Sequence, residues 1–170
     1  MTLISTRKDA ATLTLTLVAD FDASPDQVWQ VWEDPRKLER WWGPPTFPAT
    51  FTRHDFVVGG ESRYFMTGPA GEKPRGWWRM DGIDKPHRLE FANGLAGDDG
   101  EPAPGVEPME GHVTFEATDT GTRMTAVTHF VDAAQMETML GMGMQEGMAQ
   151  AIGQIDVLLA PAPLELEVSL

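Results

Sequence analysis

Between Ala49 and Val131 the sequence passes through six short segments, each closed by turn-forming residues. The segments are Ala49–Val57, Glu61–Met66, Gly76–Ile83, Arg88–Asn93, Gly111–Ala117 and Arg123–Val131, separated by stretches such as "VGG", "GPAGEKP", "DKP" and "TDTG". Short runs joined by Gly, Pro and Asp turns predict antiparallel strands. A seventh strand precedes them in "TLTLTLVADF", where Leu13, Leu15 and Leu17 face one way and Thr12, Thr14 and Thr16 the other. An antiparallel sheet of this kind has one wet face and needs a cover on its other face.

One stretch is long enough to be that cover. Asp132 is placed to cap a helix that the sequence carries to about Ala160, where "PAP" stops it. A shorter helix lies in "DASPDQVWQVWEDP": Ser24 is the N-cap, Pro25 the first helical position, and Val28, Trp29 and Trp32 the apolar stripe. A second short helix through Leu38 leads into "RWWGPP". The order is strand, two helices, six strands and a long helix, which predicts an α+β fold with a seven-stranded antiparallel sheet against the terminal helix. The chain of 170 residues suits one domain over residues 1–160, followed by a tail, 161–170, whose alternating Leu164, Leu166, Val168 and Leu170 suit strand addition to a neighbour or a frayed end. Residues 94–108, "GLAGDDGEPAPGVEP", are acidic and rich in Gly and Pro, and read as a mobile excursion.

The terminal helix carries an anomaly. "MLGMGMQEGM", Met139 to Met148, holds four Met and three Gly in ten residues. A Gly inside a helix costs roughly 0.5–1 kcal/mol relative to Ala. On a helical wheel Met136, Leu140, Met144, Met148, Ala151, Ile152, Ile155, Leu158 and Leu159 share one face with Gly141 and Gly147, whereas Met142, Gly143 and Gly153 fall outside it. Two inward glycines surrounded by pliable Met describe a cavity with adaptable walls. Close approach of the helix backbone to a bulky Trp is the alternative.

The run "FDASPDQVWQVWEDPRKLERWWGPP", with "DFVVGGESRYFMTGPAG", "DKPHRLEF", "GTRMTAVTHF" and "EGMAQAIGQIDVLLA", resembles the family named after the activator of the heat-shock-protein-90 ATPase, within the START and birch-pollen-allergen superfamily. The resemblance spans about residues 12–160. It implies a helix-grip fold, a curved sheet wrapped around a long C-terminal helix with a cavity between them. The family commonly has Trp where this chain has Met148, so a rigid wall is replaced by a pliable one. The resemblance also places Trp41 and Trp42 near the cavity entrance and associates such chains with the stress response.

Composition narrows the function. A formal net charge of -13 argues against nucleic acid and anionic membrane as partners. There is no Cys, so thiol chemistry and thiolate metal sites are excluded. No apolar run reaches about 18 residues, and the first residues lack the order of a signal peptide, so a cytoplasmic location is expected. His54, His87, His112 and His129 have no ligand spacing, and G-x-S-x-G and phosphate-loop patterns are missing. No metal or cofactor is expected, and no catalytic residue is assigned. Arg79, Glu90, Asn93 and His112 are weighed as polar groups for the cavity, with strand parity leaving most of them outside.

The expected lining is Trp29, Trp41, Trp42, Tyr64, Met66, Phe91, Phe115, Met136, Leu140, Met144, Gly147 and Met148. Large aromatic rings with Met walls suit a flat apolar or aromatic molecule. Three function classes follow: a carrier or sensor of a small hydrophobic molecule, an enzyme of the aromatase, cyclase or hydrolase kind, and a protein-interaction module resembling a co-chaperone. A protein partner or a homodimer accompanies the last. The first class fits best, because no polar constellation for catalysis is visible.

Overall fold

The computed structural model of the chain describes residues 3–159. Its elements are β1 (Leu3–Asp9), β2 (Thr14–Phe21), α1 (Pro25–Glu33), α2 (Pro35–Leu38), β3 (Ala49–His54), β4 (Glu61–Met66), β5 (Arg75–Asp84), β6 (Arg88–Ala96), β7 (Met109–Ala117), β8 (Thr122–His129), α3 (Ala133–Gly141), α4 (Met144–Ile152) and α5 (Ile155–Leu159). The strands form a single antiparallel sheet in the spatial order β1-β2-β8-β7-β6-β5-β4-β3. Helices cover one face, in the α+β helix-grip arrangement expected from the sequence. The tail 161–170 lies outside the described residues.

The sheet has eight strands where the sequence predicts seven. The extra strand is β1, which pairs with β2 from Leu3↔Asp20 to Asp9↔Thr14. Its residues Ser5 to Lys8 are exposed, and Arg7 and Lys8 sit on it. Charges on an edge strand deter pairing with other chains and also erase the alternation by which a strand is read. The turn from β1 to β2 ends at Leu13, a non-glycine residue with φ 57°, so β2 begins one residue later at Thr14.

The inner face of the sheet follows side-chain parity. Leu15 and Leu17 of β2, Leu89 and Phe91 of β6, Val113 and Phe115 of β7, and Met124 and Ala126 of β8 are all buried. Register shifts between Phe51 and Arg53 and between Met80 and Gly82 break the regular ladder, as a sheet bending around a helix requires. The excursion after Asn93 is partly structured: β6 continues to Ala96, which bridges to Pro102, and the Gly97 N–H donates to the Glu101 carbonyl.

The terminal helix is not continuous. Gly143 has φ 88° and ends α3 in the left-handed conformation that favours glycine; α4 then starts at Met144. A second turn at Gly153 and Gln154 separates α4 from α5. α4 packs on β1 and β2, and α5 packs on α1. The Gln145 side chain ties α4 to β1 by donating to Thr6 Oγ1 at 2.7 Å.

Helix α1 starts as its sequence requires. The Gln27 N–H donates to Ser24 Oγ, and the Ser24 N–H donates to Gln27 Oε1, a reciprocal cap. The other end is held to the sheet through His54. Its Nε2 lies 2.9 Å from the Trp32 carbonyl and its Nδ1 2.8 Å from Ser62 Oγ. A carbonyl only accepts, so Nε2 carries the hydrogen, and in the neutral ring Nδ1 accepts from the Ser62 hydroxyl. Burial pushes the His54 pKa below its ordinary value.

That depression has a definite sign. Between the lowered folded pKa and the unfolded value of about 6.5, the unfolded chain holds more protons than the folded one. Stability is complete above the unfolded value and declines as pH falls toward the folded one. The melting temperature is expected to drop from about pH 7 to about pH 5, and His54→Gln, which donates and accepts without titrating, should flatten that drop. Parallel declines in the two proteins would show that His54 does not carry the effect.

Candidate functional site

Trp32 sits at the centre of the apolar end of the interface. Its ring meets Trp41 at 4.8 Å, Trp42 at 6.0 Å, Trp78 at 6.0 Å and Phe91 at 6.0 Å between centroids. Trp78 stacks on Phe91 at 4.6 Å, and Trp42 meets Trp78 edge-on at 4.8 Å. Edge-on and offset rings of this kind are the favourable arrangements for indoles. The Trp41 indole N–H donates to the Val31 carbonyl at 2.8 Å, which ties the "WWG" segment to α1. From the other side Gln154 Nε2 donates to the carbonyls of Gly43 at 2.7 Å and Trp41 at 3.3 Å. Both anchors act on a loop that has no regular secondary structure to fix its two indoles.

Beyond the indoles the two layers leave a cavity of about 300 Å³. Trp32, Trp41 and Trp42 form one end. The sheet contributes Tyr64 and Met66 from β4, Phe91, Asn93 and Leu95 from β6, Met109, Gly111 and Val113 from β7, and Ala126 and Thr128 from β8. The helices contribute Met139, Met142, Met144, Gly147, Met148, Ala151 and Ile152. Two cross-strand pairs flatten the sheet wall. Tyr64 lies opposite Gly76, where a Cβ would meet the phenol oxygen at 2.2 Å. Phe91 lies opposite Gly111, where a Cβ would meet the ring at 2.8 Å. In each pair the glycine lets the aromatic ring lie across the neighbouring strand.

On the helix side the glycines do not serve close packing. A Cβ built on Gly147 meets nothing within 4 Å, and Gly147 lines the cavity. A Cβ on Gly141 also meets nothing, but Gly141 is exposed and lies outside the lining. The break at Gly143 explains the difference. It shifts the phase between α3 and α4, so that Met139, Met142 and Gly143 reach the cavity although one continuous wheel places Leu140 and Gly141 inward.

Of the expected residues, Trp41, Trp42, Tyr64, Met66, Phe91, Met144, Gly147 and Met148 border the cavity. Trp29, Phe115, Met136 and Leu140 do not. Trp29 is fully buried between Phe56 and Phe115, at 5.8 Å and 5.5 Å, Met136 belongs to the same core, and Leu140 packs against it. Trp41 is a buried wall rather than a rim, with 1% of its surface exposed. The mouth is marked instead by Met142, 65% exposed, and Leu95. Asn93 and Thr128 also border the cavity. Asn93 is the one of the four polar groups weighed from the sequence that does so, while Arg79, Glu90 and His112 lie outside the lining, and Thr128 is not among those four. The parity of Asn93 with Phe91 and of Thr128 with Ala126 was the available signal.

The chemistry of the walls is apolar and uncharged. Among the described residues no Asp, Glu, Lys, Arg or His lines the cavity, and Tyr64 is the one titratable group there. Burial raises the Tyr64 pKa, opposed in part by the adjacent Trp42 indole, so the phenol stays neutral at ordinary pH. The Trp42 N–H approaches that phenol without closing a hydrogen bond of normal geometry. Among the described residues no group of three or more His, Asp and Glu is placed to hold a metal, and no helix is long and apolar enough to cross a membrane.

The chain belongs to the family described as Activator of Hsp90 ATPase homolog 1-like protein, which it matches over residues 22–160. A protein from Arthrobacter aurescens, solved by solution NMR, is similar to it at 49% identity, over 93% of this chain and 92% of that one, with a TM-score of 0.88. The crystal structure of protein Ms6760 from Mycobacterium smegmatis matches at 41% identity, over 95% of this chain and 99% of that one, with a TM-score of 0.87. A Rhodobacter sphaeroides protein at 20% identity shares the fold, with a TM-score of 0.78 over 94% of this chain and 98% of that one. No curated protein matches the chain at a significant level.

The open space at Gly147 fixes the sign of a substitution. Gly147→Leu regains about 0.8–1 kcal/mol of helix propensity and adds apolar burial. A gain of 1 kcal/mol raises the melting temperature by roughly 2–4 °C in a chain of this size. The variant is expected to melt higher than the parent. A lower melting temperature would mean that the helix backbone at Gly147 is closely packed after all.

Proposed function

We propose that this chain binds a small hydrophobic, largely aromatic molecule in the cavity between the sheet and α3–α4, acting in the cytoplasm as its carrier or sensor. The observation that carries this reading is Gly147: a mid-helix glycine that costs stability and whose missing side chain leaves only empty space. Folding alone gains nothing from that gap, whereas a ligand fills it. The cavity is at the small end of the range of roughly 300–1,000 Å³ typical of ligand sites, and its Met walls adapt to the occupant.

Binding is favoured over turnover by the composition of the walls. General acid–base catalysis near neutral pH needs a group that titrates there, and the cavity offers only a phenol whose pKa is raised. The exposed apolar residues round the mouth, Leu95, Val106, Val131 and Met142, give an apolar ligand a path inward.

The test uses the neutral fluorophore N-phenyl-1-naphthylamine, which emits strongly once out of water. The protein is expected to bind one equivalent and to show a change in its Trp emission. Gly147→Leu, whose side chain occupies the same space, should lose the probe while remaining folded. A folded parent that leaves the probe dark, or a variant that binds it equally well, would contradict the assignment.

A further inference from the structure

Besides the Tyr64 phenol and the ring-packed Trp32 and Trp42 indoles, the otherwise apolar cavity wall holds two polar side chains with spare hydrogen-bonding capacity, Asn93 and Thr128. Thr128 is 94% buried, with 6% of its surface exposed, and its hydroxyl has no hydrogen-bond partner among the described residues. Asn93 makes one long bond, Nδ2 to the Met109 carbonyl at 3.4 Å, which leaves its second N–H and its Oδ1 without a described partner. Both residues sit on inward-facing strand positions and border the cavity. Among the described residues neither side chain has its full set of partners, and both border the cavity, where a bound molecule can supply the missing ones.

The same walls are hostile to charge. Among the described residues no cationic side chain lines the cavity, so an anion entering it would be desolvated without a counter-ion. The groove outside the mouth offers no relief. Its charged lining residues are Glu107 and Asp132, both acidic, and the chain as a whole carries a formal net charge of -13. The shape is restrictive too, since the Phe91–Gly111 pair presents a flat floor and Gly147 an open roof.

We infer that the ligand is a flat, uncharged aromatic molecule bearing a hydroxyl or carbonyl group, that Asn93 and Thr128 are the residues that recognise that group, and that anionic amphiphiles are excluded. This rests on the cavity being a binding site, and it specifies the class of molecule the site takes. A purely hydrocarbon ligand leaves the two polar side chains unpaired, and a carboxylate meets only neutral or acidic surroundings. An alcohol or ketone on a ring system satisfies both constraints.

The experiment displaces the neutral fluorophore with naphthalene, 2-naphthol and 2-naphthoate, which share one ring system, near neutral pH, on the full chain and on the Asn93→Leu/Thr128→Val double variant. The parent is expected to bind 2-naphthol at least tenfold more tightly than 2-naphthoate, as expected when one ligand is neutral and the other must be desolvated as an anion. The double variant should weaken 2-naphthol by about tenfold, as the loss of one net hydrogen bond implies, and bind naphthalene at least as tightly as the parent does. Naphthalene binding that is retained or tighter also shows that the variant is folded. Equal losses for naphthalene and 2-naphthol, or 2-naphthoate binding as tightly as 2-naphthol, would overturn the inference while leaving the cavity as a binding site. If neither the fluorophore nor any of the three compounds binds the parent, the binding reading itself fails and takes the inference with it.

Discussion

The interface between sheet and helices is filled unequally, and the rest of the structure depends on that imbalance. At one end Trp32, Trp41, Trp42, Trp78 and Phe91 pack ring against ring. At the other, Gly143 and Gly147 withhold side chains from a helix that elsewhere offers Met and Ile. Protein interiors normally pack to crystal-like density, so a gap of about 300 Å³ does not arise from loose packing alone. The indoles are part of the cost. Among the described residues the N–H groups of Trp29, Trp32, Trp42 and Trp78 are buried without a hydrogen-bond partner, and only Trp41 of this cluster closes a bond, to Val31.

Much of this architecture was legible from residue order, and what was not has identifiable causes. The alternation of Leu15 and Leu17 fixed which face of β2 is buried, and the Ser24–Pro25 start located α1 correctly. β4 has the bounds that its turns imply. β1 escaped because an edge strand carrying Arg7 and Lys8 has no apolar rhythm. The helix break escaped because a wheel presumes continuous helical φ, and only the structure shows Gly143 at φ 88°. From that one torsion follow the placing of Met139 on the cavity and of Met142 at its mouth, and the outward turn of Gly141.

The site shows the same pattern at the level of side chains. Size and aromaticity alone do not separate a cavity wall from a core. Trp29 and Phe115 are as large and apolar as Trp42 and Phe91, yet they fill the space beneath α1. Polarity is the signal to weigh more heavily: Asn93 is weighed for the cavity on that ground and Thr128 is not. Asn93 shares parity with Phe91, and Thr128 with Ala126, and a polar side chain on an otherwise apolar face is more informative than another apolar one. Membership in the family accounts for the helix-grip fold, while the uncharged walls and the two polar positions belong to this chain's own residues.

The methionines provide the most direct test of the cavity as the binding site. Met66, Met109, Met139, Met142, Met144 and Met148 border it, whereas Met80, Met124 and Met136 are buried in the core outside its lining. With the methyl groups labelled with carbon-13 and assigned, titration with N-phenyl-1-naphthylamine separates the two sets by NMR. The account predicts shifts confined to the bordering set, with Met80, Met124 and Met136 unmoved. Shifts of equal size in both sets, or none in Met144 and Met148, would contradict it.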